Sequence, residues 1–183
     1  MKRLFLFVAG LTLTGCATMP AASPQATAEL KNAKGEAVGT ASLWEAASGV
    51  RIAAQVRDIS PGRHGIHIHA VGKCDPPEFT TAGGHYNPEG KKHGLKSPAG
   101  PHTGDLPNLE VGTDRTGRLE YVTKLVTLGP GPTSLFDADG SALVIHANPD
   151  DETTDPTGNS GGRIACGDIV RASPPPARPS TGY

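Results

Sequence analysis

Residues 50–56 constrain this chain more than any other stretch. Val50, Ile52, Ala54 and Val56 alternate with Arg51, Ala53 and Gln55, and Arg57 follows. A side-chain period of two belongs to a strand with one face buried. Residues 28–31, a turn at Gly35 and residues 38–44 read as a hairpin feeding that strand. Residues 119–126 and 142–147 are further strands, rich in β-branched side chains. No window of twelve residues carries the 3.6-residue period of a helix. The 24 Gly and 17 Pro among 183 residues demand many turns, and 4% aromatic residues exclude a core built on large rings. The chain therefore reads as an antiparallel β-sandwich or barrel.

The two ends read as appendages to a folded part at residues 26–171. Lys2 and Arg3 precede an apolar run, residues 4–13, that is too short to span a bilayer as a mature helix. The run ends in Leu13-Thr14-Gly15-Cys16, which resembles the bacterial lipoprotein cleavage motif. That likeness implies a signal peptide at residues 1–15 and a lipid on Cys16. Ala17, where Asp would retain the protein at the inner membrane, implies anchoring in the outer membrane, facing the periplasm. An ordinary secretory signal is the alternative, and either one takes the chain out of the cytoplasm. Residues 16–25 are small, polar and Pro-punctuated, as suits a flexible tether. Residues 172–183 carry Pro174, Pro175, Pro176 and Pro179 and read as a disordered tail. A formal charge of −1, with 19% charged residues, argues against a nucleic-acid partner.

Two Gly/Pro-rich stretches, residues 72–105 and 147–162, are longer than connections usually run, which marks them as functional loops. His67 and His69 flank Ile68 and share one face of a strand. An HxH pair alone is a weak signal. His85, His93, His102 and Asp105 follow, a set of three imidazoles and one carboxylate suited to tetrahedral Zn²⁺. His146 ends an apolar run and could join His67 and His69 from a neighbouring strand. With His85 these make an all-nitrogen site of the kind Cu²⁺ prefers. His85, with two ring nitrogens, can serve both metals. His64 is out of step with the pair and reads as a hydrogen-bonded structural residue.

The string His64-Gly65-Ile66-His67-Ile68-His69 is one of four that resemble the copper/zinc superoxide dismutase family. The others are Ala82-Gly83-Gly84-His85-Tyr86-Asn87-Pro88, the His93/His102/Asp105 spacing, and residues 158–167 with Arg163 and Cys166. The similarity runs from the first strand to about Ile169. It implies an all-β, Greek-key antiparallel β-sandwich or barrel of about eight strands with two long functional loops. It also implies dismutation of superoxide to dioxygen and hydrogen peroxide, with copper cycling between Cu²⁺ and Cu⁺ and zinc beside it. His67, His69, His85 and His146 would hold copper; His85, His93, His102 and Asp105 would hold zinc. His85 would also carry a proton to the product. Asp150 would accept hydrogen bonds from one histidine of each metal, and Arg163 and Thr157 would line the approach to copper. Bacterial members occur as monomers and as dimers, so a homodimer is one state the resemblance allows.

The same family carries a bridge matching Cys74 and Cys166. With Cys16 acylated these are the two remaining thiols, and an oxidising envelope favours their pairing. A non-enzymatic copper-storage lipoprotein would need the copper histidines but not Arg163, Thr157 or the zinc set. A zinc hydrolase would need an open coordination position, which four protein ligands would close. One departure concerns charge. Many members carry a lysine next to the threonine at the channel, and here that neighbour is Pro156, in a loop with Asp150, Asp151, Glu152 and Asp155. Attraction of the anionic substrate then rests on Arg163, with Lys91, Lys92 and Lys96 as additional sources.

Overall fold

The computed structural model describes residues 22–173. The expected signal peptide, Cys16 and most of the expected tether and tail lie outside the described residues. The described part is a ten-strand antiparallel sheet: β1 (Ala26–Asn32), β2 (Ala37–Ala46), β3 (Gly49–Val56), β4 (Gly62–His64), β5 (Ile66–His69), β6 (Leu109–Val111), β7 (Gly117–Thr123), β8 (Ala142–His146), β9 (Arg163–Asp168) and β10 (Val170–Arg171). Strands β4 and β5 are one run interrupted at Gly65, and β9 and β10 are one run interrupted at Ile169. The ten segments are thus eight continuous passages of chain, in line with the number expected.

Hydrogen-bonded order around the sheet is β4-β6-β7-β3-β2-β1-β9-β8-β5, with β10 beside β1. The path begins on β4 and ends on β5, which are joined through Gly65. The sheet therefore wraps into a nearly closed Greek-key barrel with few free edges. The alternation at residues 50–56 has its physical counterpart here. Val50, Ile52, Ala54 and Val56 are buried in the barrel with Leu30, Leu43, Ile66, Ile68, Leu119, Leu143 and Ile145. The expected strand at residues 119–126 stops at Thr123, whose Oγ1 accepts the Leu125 N–H and turns the chain. Val126 and Leu128 still enter the core from the connection that follows.

Strand β8 is buried along its whole length because both faces are covered. Leu143 and Ile145 face the barrel interior. Ala142 and Val144 join a smaller cluster with Phe79, Ala82 and Cys166 under the loop at residues 72–105. His146 has the parity of Val144, and His67 and His69 have the parity opposite to Ile66 and Ile68. All three imidazoles therefore stand on the outer wall of the barrel, beneath the loops. At the N-terminal edge, Gln25 N–H already donates to Leu43 O and the Trp44 indole N–H to Ala22 O, so residues 22–25 lie against the domain.

Candidate metal centre

Three elements bring the histidines together. Strand β5 supplies His67 and His69, β8 supplies His146, and the loop at residues 72–105 supplies His85, His93, His102 and Asp105. That loop is held to the barrel by an isolated bridge between His69 and His85 and another between His67 and Asp105. The second loop, residues 147–162, closes over the first. Where they cross, Gly94 (φ +109°) admits no side chain, since a Cβ there would meet the Glu152 carbonyl oxygen. The Lys96 N–H donates to that same oxygen at 3.1 Å.

His67, His69, His85 and His146 offer one ring nitrogen each to a common centre, with the four atoms within 4.8 Å of one another. Two of their nitrogens, His67 Nδ1 and His85 Nε2, are buried without any hydrogen-bond partner. Unpaired buried polar atoms are costly, and two on facing imidazoles are what a bound cation would satisfy. Burial holds His67 down to about 4, against its hydrogen bond to Asp150, and holds His146 down to about 3. It also holds His69 well below the usual imidazole range. At neutral pH these rings are uncharged and present lone pairs.

His85, His93, His102 and Asp105 form a second set sharing His85. Asp105 Oδ1 lies 3.0 Å from His85 Nδ1, 3.1 Å from His93 Nδ1 and 3.5 Å from His102 Nδ1, and the last is 3.4 Å from His85 Nδ1. A tetrahedron with Zn–N bonds of about 2.0–2.1 Å has edges of roughly 3.3–3.4 Å. The donor atoms thus sit near the spacing that ion requires. Asp105 is fixed by the N–H groups of Gly94 and His102 on Oδ2, at 2.8 and 2.9 Å. Burial works against ionisation of Asp105, yet hydrogen bonds from His85 and His93 hold its carboxyl well below the usual range. Burial would lower His93, but Asp105 and Asp150 outweigh it and raise the ring to about 9. A cation entering this set displaces that proton.

Asp150 stands behind both sets: Oδ2 accepts His67 Nε2–H at 2.6 Å and Oδ1 accepts His93 Nε2–H at 3.0 Å. Sequence reasoning missed what holds Asp150. The Asn108 amide donates to its carbonyl at 2.9 Å and accepts its N–H at 2.7 Å. A lone Asn in a polar loop carries no pattern that would have revealed this. His64, outside both sets, has its ring nitrogens against the His146 carbonyl (2.8 Å) and the Ser60 carbonyl (2.9 Å), a structural link as expected.

An open cavity of about 440 Å³ leads to the first set, lined by His69, His146, Pro156, Thr157 and Arg163 among others. The Arg163 guanidinium donates to the carbonyls of Phe79 and Gly83, both at 2.5 Å. Cys74 and Cys166 form a disulfide that ties the first loop to β9, three residues past Arg163. The lysines expected to add to anion attraction are each paired. Lys91 binds Glu89 at 2.7 Å, Lys92 binds Asp155 at 3.0 Å, and Lys96 binds Glu152 at 2.7 Å. Their field at the mouth is correspondingly reduced, which leaves Arg163 as the main local cation.

Comparison with known proteins agrees with this geometry. The family model for copper/zinc superoxide dismutase (SODC) matches residues 37–169. A copper-zinc superoxide dismutase of Aquifex aeolicus is 46% identical over 171 residues, covering 92% of this chain and 99% of its own length. The crystal structure of a superoxide dismutase-like protein from Bacillus subtilis superposes with a TM-score of 0.76 at 40% identity, covering 79% of this chain and 97% of the other. The Cu/Zn superoxide dismutase from Brucella abortus gives a TM-score of 0.66 at 29% identity, covering 79% and 98%. With the family model spanning most of the barrel and both loops, the chain belongs to the copper/zinc superoxide dismutase family of oxidoreductases, whose cofactors are copper and zinc.

Proposed function

We propose that the protein dismutates superoxide in the bacterial cell envelope, with copper held by His67, His69, His85 and His146 and zinc by His85, His93, His102 and Asp105. The observation that carries this reading is the pair of adjacent donor sets sharing one imidazole, with His67 Nδ1 and His85 Nε2 buried and unpartnered. Bound copper would supply one-electron exchange with superoxide, and bound zinc would fix His85 without redox chemistry.

The remaining work belongs to the chain. Arg163, pinned by two carbonyls, keeps a fixed positive charge at the mouth where the anion enters. Thr157 narrows that mouth. His85 Nε2, whenever it is not holding copper, would carry a proton to the peroxide product, the role of a general acid. Asp150 orients one imidazole of each set through its two oxygens, so the sites are braced together.

The envelope location and the lipid on Cys16 rest on the sequence: the charged start, the short apolar run and Leu13-Thr14-Gly15-Cys16. Ala17 favours the outer membrane, with the enzyme facing the periplasm and its substrate generated outside the cytoplasm. Mass spectrometry of the mature N-terminus tests this: a diacylglyceryl group on Cys16 is expected, and an unmodified N-terminus beyond Cys16 would refute it.

The activity is tested by assaying the protein loaded with both metals beside His146→Ala and Arg163→Ala. We expect His146→Ala to lose copper and dismutation, and Arg163→Ala to keep both metals but turn over more slowly. A fully loaded wild type without activity would leave copper storage as the function.

A further inference from the structure

We propose that Asp155 is a positioning residue of the zinc site: it takes the outward Nε2–H of His102 and so joins the zinc seat to the wall of the substrate channel. The proposal rests on the reading of His85, His93, His102 and Asp105 as zinc ligands.

A metal-bound imidazole ordinarily donates its other ring N–H to a carboxylate or carbonyl, which fixes the ring and makes it more basic. The outward nitrogens in this centre follow that pattern. Those of His67 and His93 meet Asp150, that of His69 meets the Gly83 carbonyl at 2.9 Å, and that of His146 meets the Gly161 carbonyl at 3.1 Å. His85 has no outward nitrogen, being shared. His102 remains. Its Nδ1 faces Asp105 and His85, so its Nε2 points away, and among the described residues the one carboxylate paired with it is Asp155, with Oδ1 at 3.6 Å. That distance is slightly beyond a hydrogen bond. Ligation through Nδ1 would place the remaining proton on Nε2, facing the carboxylate, and favour closure of the gap.

Asp155 is already aimed for the task. Its Oδ1 accepts the His93 N–H at 2.8 Å and its Oδ2 accepts the Lys92 ammonium at 3.0 Å. It therefore lies in the second loop while its carboxylate is held by the first. The next two residues, Pro156 and Thr157, line the cavity with Arg163. Seating of His102 against Asp155 thus sets the position of the channel wall. In this chain a proline fills the place beside the threonine, and the charge in that stretch is the carboxylate one residue earlier.

The test compares wild type, Asp155→Asn, Asp155→Glu and Lys92→Gln as copper-loaded, disulfide-intact proteins. Zinc affinity is read by chelator competition, and cobalt(II) in place of zinc reports the ligand field through its visible bands. Asp155→Asn keeps Oδ1 as acceptor for the His93 N–H and removes the negative charge that faces His102 Nε2, the feature by which a carboxylate makes the ligating ring more basic. We expect it to weaken zinc binding about 10- to 100-fold and to shift the cobalt bands. Asp155→Glu should recover part of that loss. Lys92→Gln, which leaves the carboxylate facing His102, should weaken zinc by less than about threefold and leave the bands in place. Zinc affinity in Asp155→Asn within about twofold of wild type, with an unchanged cobalt spectrum, would overturn the proposal. Equal weakening in Lys92→Gln would also overturn it, since Asp155 would then act only by clasping the loops. A wild type that takes up neither zinc nor cobalt would refute the ligand assignment itself, and the proposal with it.

Discussion

His69 and Arg163 are tied to the same atom, the carbonyl oxygen of Gly83, at 2.9 Å from the imidazole Nδ1 and 2.5 Å from the guanidinium Nη2. One backbone oxygen thus orients a ring of the first donor set and the cation at the cavity mouth. Gly83 has φ +73°, and a Cβ there would press on Val71 Cγ2 at 3.3 Å.

Gly83→Ala should therefore disturb both partners together. Gly83 pairs that φ with ψ −158°, a region essentially reserved for glycine, so a side chain there costs roughly 1–3 kcal/mol, and relief of that strain rotates the shared carbonyl. We expect lower stability by about that amount, weaker copper binding and slower dismutation. Denaturation, copper competition and rate assays on one sample check this; loss of stability with both other properties intact would contradict it.

The Cys74–Cys166 bridge closes a loop with a sequence separation of 92. In the chain-entropy account this stabilises the fold by about 4–5 kcal/mol. Replacing both cysteines by serine should lower the urea midpoint accordingly. It should also slow turnover, because the bridge holds the first loop, with the Phe79 and Gly83 carbonyls, against the strand that carries Arg163. Equal midpoints for the two proteins would contradict the first expectation.

The metal-free protein should be most stable near pH 6.5. Burial lowers His67 to about 4 and His146 to about 3, with His69 also well below its usual value. Between those values and about 6.5 the unfolded chain binds more protons, so stability is lost as pH falls. His93 has the opposite sign: burial opposes its charge, but Asp105 and Asp150 raise it to about 9. Its contribution is full below about 6.5 and is lost as pH rises through 9. Denaturant midpoints from pH 4 to 9 should trace a dome, and His93→Gln should flatten the alkaline limb. A midpoint that climbs steadily to pH 9 would contradict the sign assigned to His93.

Dismutation should slow as ionic strength rises, since the substrate is an anion and Arg163 is a cation. The slope should be shallow, because Lys91, Lys92 and Lys96 are paired with Glu89, Asp155 and Glu152. In Arg163→Ala the rate should fall and the slope should vanish. A steep slope surviving in that variant would assign attraction to the paired lysines after all.

Much of the architecture was legible in the letters. Alternation at residues 50–56 identified a strand because a sheet with one wet face sorts side chains by parity. Residue type identified the donors, since only His, Cys, Asp and Glu among these loops bind copper or zinc well, and the motif order paired them with a known family. The sequence was less informative about charge. Lys91, Lys92 and Lys96 read as free cations, whereas Glu152 and Asp155, more than fifty residues later, fold back onto two of them.

What the sequence alone determined is the set of chemical groups: an antiparallel β pattern, six imidazoles and a carboxylate suited to two metals, an arginine and a pair of cysteines. Only the tertiary structure decided how those groups are held. The Gly83, Gly161 and Phe79 carbonyls orient His69, His146 and Arg163, and Asn108 holds Asp150. Every residue has a carbonyl, so no letter marks the few that matter. Their roles arise from where the crossing of two loops over the barrel wall points them.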